Sequence, residues 1–378
     1  MHVPAGAGMK IDRIELREIR LRLVEPFEIS SGVEIERRIL LLRMFETGGT
    51  DIWSECVAGG APNYFPETID TAWLMLRDHL APLLLGCNWQ EARDVAPLLG
   101  ARVRGNNMAK AALEMGCWAL EASLRNMPLA ALLGGERTSV ATGISLGIQG
   151  EVAKLVDRAV HAEETGYRKI KIKVAPGRDI DFVREVRERL PEGNLMVDAN
   201  SAYTLDDVEH LRDFDEFDLI MIEQPLAWDD LADHAVLRRS IATPICLDES
   251  IWSVRHAREM IDRGSGNVIN IKPGRVGGYR EAIAIHDLAQ SAAMPVWCGG
   301  MLESGIGRAY NVAMASLSNF TIPGDISPSS RYWEHDIVTP EWTMNGDGFV
   351  TVPRGAGLGV EVDAALIDDL TVRREIVA

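Results

Sequence analysis

A chain of 378 residues, 47% of them hydrophobic, can bury a large core and exceeds the usual size of a single-core domain. The formal net charge of −17 speaks against nucleic acid and anionic membrane surfaces as partners, and no apolar run reaches the ~18 residues of a membrane-spanning helix. Met1–Gly8 lacks the basic-then-apolar pattern of a signal peptide, and the five scattered cysteines (Cys56, Cys87, Cys117, Cys246, Cys298) form no C-x-x-C pair, so they read as reduced packing residues of a cytoplasmic protein.

In chain order, Ile14, Leu16, Ile19, Leu21 and Leu23 alternate with charged residues and predict a strand. Ile39–Phe45 is a second strand-like run, Gly48-Gly49 a turn, and Asp51–Cys56 the return of a hairpin. Thr68–Leu85 and Ala109–Leu124 carry apolar residues at helical spacing. From about Ala141 short strand-like runs alternate with amphipathic helices: Thr142–Leu146, Ile170–Val174, Leu195–Val197, Leu219–Ile222, Ile245–Leu247, Val268–Ile271, Pro295–Trp297 and Asn319–Ile322. Eight strands spaced 24 to 28 residues apart predict a closed parallel α/β barrel. An open doubly wound sheet fits less well, because Gly147–Gly150 is a poor phosphate loop. The expected organisation is an α+β cap over 1–135, a barrel over 136–338, and a segment 339–378 that packs back on the cap.

Barrel enzymes place their chemistry at the C-terminal strand ends. Here those ends carry Lys171 and Lys173, then Asp198-Ala199-Asn200, Glu223-Gln224-Pro225, Asp248-Glu249-Ser250 and Lys272-Pro273-Gly274. Asp198, Glu223 and Asp248 follow apolar runs at intervals of 25 residues, so three adjacent strands point three carboxylates at one place. Such acids either cap the helices that follow or share a hard cation, for which all-oxygen donors favour Mg²⁺ or Mn²⁺. Lys171 and Lys173 lie two apart on one strand and face the same way, and Lys272 lies four strands further round. Burial, a neighbouring lysine and a cation would lower a lysine toward use as a base. All eight histidines lie off the strand ends; His286 beside Asp287 falls inside a helix and reads as packing. The glycine-rich stretches Gly274–Gly278 and Gly299–Gly307 fit tight turns as well as anion-binding amides.

Together K-I-K, D-A-N, E-Q-P, D-E-S and N-I-K-P-G-R-V-G-G resemble the enolase superfamily, muconate-lactonizing subgroup. Gly299–Glu303, Pro323–Ser327, Ser330–Trp333 and Glu55–Ala58 with Pro62 and Tyr64 narrow the resemblance to the o-succinylbenzoate synthase / N-acylamino acid racemase family, over about residues 9 to 365. The resemblance implies a (β/α)7β TIM-like barrel under an α+β cap built from both chain ends. It implies Mg²⁺, or another divalent ion, on Asp198, Glu223 and Asp248. Lys173 and Lys272 would be the acid/base pair, with Lys171 tuning Lys173. Ser145, Asn200, Glu249, Gly300, Met301, Phe27 and Tyr64 would touch a small carboxylate substrate, within a homo-oligomer (dimer or octamer).

The implied chemistry is proton removal α to a carboxylate. It ends either in loss of hydroxide, a dehydration of menaquinone biosynthesis, or in reprotonation from the opposite face. Arg178 departs from an aromatic often seen after Pro176-Gly177, and Ala119 from an acid. Asp325-Ile326-Ser327 lacks the second acid of the D-x-D pattern of dipeptide epimerases, which disfavours dipeptides. Alternatives are a muconate-type cycloisomerase, another dehydratase, or a non-catalytic binding protein; the last has no use for both lysines and all three acids.

Overall fold

The computed structural model describes residues 8–378, so the leader reading of Met1–Gly8 falls, up to residue 7, outside the described residues. Strands β1 (Ile11–Ile29), β2 (Gly32–Glu46) and β3 (Asp51–Cys56) form an antiparallel sheet. The β2–β3 turn uses Gly49 at φ 96°, a conformation glycine adopts without strain. The C-terminal strand Thr371–Val377 pairs antiparallel with β1, Ile14 opposite Val377. The helix expected over Thr68–Leu85 is interrupted: Ile69–Met75 passes through a wide turn at Leu76–Leu80 before Ala81–Leu85 resumes. Pro82 supplies no amide hydrogen to the preceding turn, which explains the break. Helix α1 (Asn107–Leu124) is buried along nearly its whole length.

The second sheet is parallel: β4 (Ile144–Leu146), β5 (Ile170–Lys173), β6 (Leu195–Asp198), β7 (Ile222–Glu223), β8 (Ile245–Leu247), β9 (Val268–Ile271) and β10 (Val296–Cys298), paired in chain order. The eighth strand expected at Asn319–Ile322 does not form. The sheet closes instead through two single bridges, Val296–Phe320 and Thr142–Gly324. Two features of the segment explain this. The Asn319 amide donates to His286 Nε2 at 3.0 Å rather than to a ladder, and Pro323 has no amide hydrogen. His286, stacked on Phe320, thus has the packing role its position suggests.

Side-chain parity layers the barrel interior. Met196, Met221, Cys246, Val268 and Trp297 form an apolar floor. Two residues further along their strands come Asp198, Glu223, Asp248 and Asn270, all buried.

Two buried acids clamp the cap over the barrel mouth. Glu55, on β3, accepts from the amides of Ser304 and Gly307 and from Ser304 Oγ (2.6 Å), at the start of helix α3 (Gly305–Ala315). Glu114, on α1, accepts from the amides of Tyr279 (2.7 Å) and Arg280 (3.0 Å) at the start of helix α2 (Tyr279–Ser291). A Cβ on Gly278, at φ 111°, would sit 2.2 Å from Glu114 Oε2. The Gly277-Gly278 pair therefore serves this cap, which favours the tight-turn reading of that stretch. All five cysteines are free, and four are buried.

Burial pushes the Glu55 carboxyl up to about 8 from an ordinary 4.5. A raised acid binds more protons in the folded state, so its stabilising share is full below 4.5 and is lost as pH rises through 8. Urea unfolding midpoints should therefore fall between about pH 5 and pH 8.5, and the fall should shrink in Glu55→Gln. An unchanged pH slope in that variant refutes the assignment.

Candidate active site

Parallel pairing brings the strand ends level: Lys173 lies opposite Asp198, and Asp198 opposite Glu223. Lys171 Nζ reaches Glu223 Oε2 at 3.0 Å, Asp198 Oδ2 at 3.3 Å and Asp325 Oδ2 at 2.5 Å. Lys173 Nζ donates to Asp198 Oδ2 and to Asn200 Oδ1, both at 2.6 Å. Across the mouth, Lys272 Nζ donates to Asp248 Oδ2 at 2.8 Å and to Tyr64 Oη at 2.9 Å. Arg275 pairs with the other Asp248 oxygen. The structure thus brings all six expected acid and lysine residues into one charged cluster, with the two candidate acid/base lysines four strands apart.

The strand-end motifs hold this cluster in shape. Gln224 accepts from the amides of Asp248 (3.0 Å) and Ser250 (3.3 Å), fixing the end of β7 to that of β8. Asn200, Ser201, Gln224 and Leu302 all take positive φ, between 39° and 64°, beside the site. Strain of this kind persists only where surrounding contacts impose it.

Of the expected substrate-binding residues, Phe27, Tyr64, Asn200, Gly300 and Met301 line one cleft of about 790 Å³ with Lys173 and Lys272. Ser145 and Glu249 are not among the residues that line it. Ser145 is in register with Lys171, its Oγ buried without a partner. Glu249 holds Asn200 Nδ2 at 2.9 Å through Oε1, while its Oε2 has no partner. The β1–β2 hairpin covers the mouth: Ser30 Oγ donates to the Asn200 carbonyl (3.0 Å), the Ile148 amide to the Glu28 carbonyl (2.9 Å), and Arg178 pairs with Glu28 at 3.1 Å. The departure at Arg178 thus ties the hairpin to the barrel.

Besides Arg275, which pairs with Asp248, sequence reasoning passed over three members of the cluster. Lys169 is fully buried, 3.2 Å from Asp325 Oδ1 and 3.4 Å from the centre of the Trp297 ring. Asp325, weighed only as half of a D-x-D pattern, anchors Lys169 and Lys171. Asn270 donates to Glu223 Oε1 at 2.7 Å. Parity was the available signal: Lys169 shares a face with Lys171 and Lys173, and Asn270 with Lys272.

Burial disfavours the charge on both lysines, and their partners set them apart. Burial lowers Lys173 below its ordinary 10.5 despite the pull of Asp198, with Lys171 adding repulsion. Burial also opposes the charge on Lys272, but Tyr64 and Glu223 outweigh it and raise the pKa. Burial acts against the Asp198 charge too, yet Lys173 and Lys171 hold that carboxyl below the carboxylate range. Glu249 is pushed up to about 7 by burial and by Asp198.

Among the described residues no three acidic side chains stand at metal-ligand spacing, because ammonium groups lie between them. The donor set nevertheless fits a hard divalent cation. It is all oxygen, comes from three consecutive strands, and is 0–1% exposed.

Residues 151–366 match the family model "Enolase C-terminal domain-like", and residues 13–134 match "Mandelate racemase / muconate lactonizing enzyme, N-terminal domain". The chain is 47% identical to an o-succinylbenzoate synthase of Geobacillus stearothermophilus, over 96% of each chain. It is 46% identical to an N-succinylamino acid racemase of Amycolatopsis sp., over 97% of this chain and 99% of the other. A solved enolase-superfamily structure from Listeria innocua superposes with a TM-score of 0.94 at 37% identity, covering 98% of this chain and 99% of that one.

The opposite shifts of the two lysines fix the sign of a pH profile. A base must be neutral, so activity should rise through the Lys173 pKa, below 10.5, and fall above 10.5 as Lys272 loses its proton. A profile of kcat/KM whose rising limb centres at or above 10.5 contradicts Lys173 as the base.

Proposed function

The chain is a member of the enolase superfamily, and we propose that it removes the proton α to a carboxylate, as an o-succinylbenzoate synthase, an N-succinylamino acid racemase, or both. One observation carries this reading: Lys173 and Lys272 line the same cleft from strand ends four strands apart. A small carboxylate between them meets a nitrogen on each face.

Asp198, Glu223 and Asp248 would hold Mg²⁺, which supplies, when bound, positive charge for the carboxylate and its enediolate. The rest of the chemistry belongs to the chain. Lys173, lowered by burial, takes the proton. Lys171 is raised well above its ordinary value: burial opposes its charge, but Asp325, Glu223 and Asp198 prevail. It remains cationic, repels charge on Lys173, and so helps keep that base neutral. Lys272, its charge favoured by Tyr64 and Glu223, faces the developing negative charge as an ammonium. In dehydration it stabilises the intermediate while the proton taken by Lys173 passes to the leaving hydroxyl, which departs as water. In racemisation it returns a proton to the opposite face. The β1–β2 hairpin limits water at the mouth. Both outcomes share one intermediate, so one site serves both, and relatives bearing each name match this chain at 46–47% identity.

In D₂O, N-succinylamino acids should gain deuterium at the α-carbon, and the hydroxylated cyclohexadiene dicarboxylate precursor of o-succinylbenzoate should yield the aromatic product. Chelation of divalent metal should stop both. Lys272→Ala should lower both rates by roughly 10³-fold or more. Failure of both wild-type reactions sinks the reading; substantial turnover by Lys272→Ala sinks that residue's role.

A further inference from the structure

Each of the three ammonium groups that touch a proposed metal acid has one further partner outside that set. Lys173 Nζ, on Asp198 Oδ2, also donates to Asn200 Oδ1 at 2.6 Å. Lys272 Nζ, on Asp248 Oδ2, also donates to Tyr64 Oη at 2.9 Å. Lys171 Nζ lies 3.3 Å from Asp198 Oδ2 and 3.0 Å from Glu223 Oε2, and its further partner is the carboxylate of Asp325 at 2.5 Å. Of these three partners only Asp325 carries an opposite charge.

The fold fixes Asp325 in place. Its amide donates to the Cys298 carbonyl (2.9 Å) and its carbonyl accepts from Arg308 Nη1 (3.0 Å), so the backbone is tied on both sides. Its other oxygen, Oδ1, faces Lys169 Nζ at 3.2 Å, and Lys169 rests 3.4 Å from the centre of the Trp297 ring. A buried carboxylate with a cation at each oxygen is compensated within this triad and has no need of a metal. Asp325 follows the segment that bridges to β4 through Gly324, whereas the proposed metal acids stand at the ends of β6, β7 and β8.

A divalent cation and Lys171 compete for the same oxygens. An ammonium within 3.3 Å of both Asp198 Oδ2 and Glu223 Oε2 repels a cation bound there, strongly so in a site withdrawn from water. An ammonium displaced from both acids with no other counter-charge would be buried and unpaired, which is unfavourable in the same measure. We propose that Asp325 is a positioning residue for the metal site: it retains Lys171 while Asp198 and Glu223 turn to the divalent cation, and thereby sets the affinity for that cation. Lys169 balances the Asp325 charge. The proposal rests on the metal assignment within the proposed function, and Asp325 touches neither the cation nor the reacting atoms in this scheme.

The test is Mn²⁺ binding to the substrate-free protein, with free Mn²⁺ read by electron paramagnetic resonance. Asp325→Asn should bind Mn²⁺ roughly 10- to 100-fold more weakly than wild type, the range expected of a residue that acts through a neighbour of the ligands. Lys171→Met, which removes the competitor, should bind at least as tightly as wild type. In Asp325→Asn/Lys171→Met the loss should vanish, because Asp325 acts through Lys171. Lys169→Met/Asp325→Asn removes one buried charge of each sign and should reproduce the weak binding, which keeps the test open where the single variant fails to fold.

Wild-type affinity in the Asp325→Asn variants that retain Lys171 overturns the proposal. So does an equal loss in the Lys171→Met background, since a general structural role would weaken Mn²⁺ binding in both backgrounds alike, and so does weaker binding by Lys171→Met alone. Wild type that takes up no Mn²⁺ overturns the metal assignment and this proposal together, whereas unchanged affinity in the variants overturns this proposal alone.

Discussion

Five carboxylates and five cations are buried together at the mouth of the barrel: Asp198, Glu223, Asp248, Glu249 and Asp325 against Lys169, Lys171, Lys173, Lys272 and Arg275. None is more than 8% exposed. Charges withdrawn from water this far must be paired, and removing one partner leaves another uncompensated at a cost of ~3–5 kcal/mol. The array is therefore a structural constraint before it is a catalytic one. Several strand-end features of the sequence follow from it: the side-chain amides of Asn200 and Asn270 bond the charged groups directly, and that of Gln224 fixes the backbone that carries Asp248.

Such an array needs a rigid frame, and the fold supplies one from two directions. Below it lies the apolar floor of Met196, Met221, Cys246, Val268 and Trp297, two residues earlier on the same strand faces. Above it, acids from the cap seize the exposed amides of barrel helices. Glu55 holds the start of α3 and Glu114 the start of α2. These are the helices that follow β10 and the loop carrying Lys272 and Arg275. A cap shift would thus be transmitted to Lys272, which also bonds the cap residue Tyr64. The cap is part of the site's geometry and not merely its cover.

The barrel and the six central charges were legible because each rests on a short-range rule: regular spacing of apolar runs, and polar residues at their ends. What escaped the sequence depended on pairing across the chain. Asn319–Ile322 has the composition of a strand, but the Asn319 amide is spent on His286 and Pro323 cannot donate, so two bridges replace a ladder. Asp325 is a lone acid in sequence and acquires meaning only beside Lys169 and Lys171. Glu55 and Glu114 sit in apolar stretches, yet nothing local names the distant helix starts they cap. Arg37 and Arg38 are adjacent arginines in a strand, and only the fold shows that Arg38 is the one that pairs with Glu18 and Asp70.

The charge count bears on what the site accepts. The five acids and five bases match in number, although Glu249, pushed up to about 7, is held by Asn200 and by no base. A divalent cation gripped by Asp198, Glu223 and Asp248 adds two positive charges to a buried, balanced array, and uncompensated charge there is unfavourable in a low-dielectric setting. Neutralisation of Lys173 leaves part of that excess in place. A substrate carboxylate that enters between the lysines offsets one of those charges. The array therefore favours an anionic reacting end, and the reacting centre need not distinguish one α-proton from another.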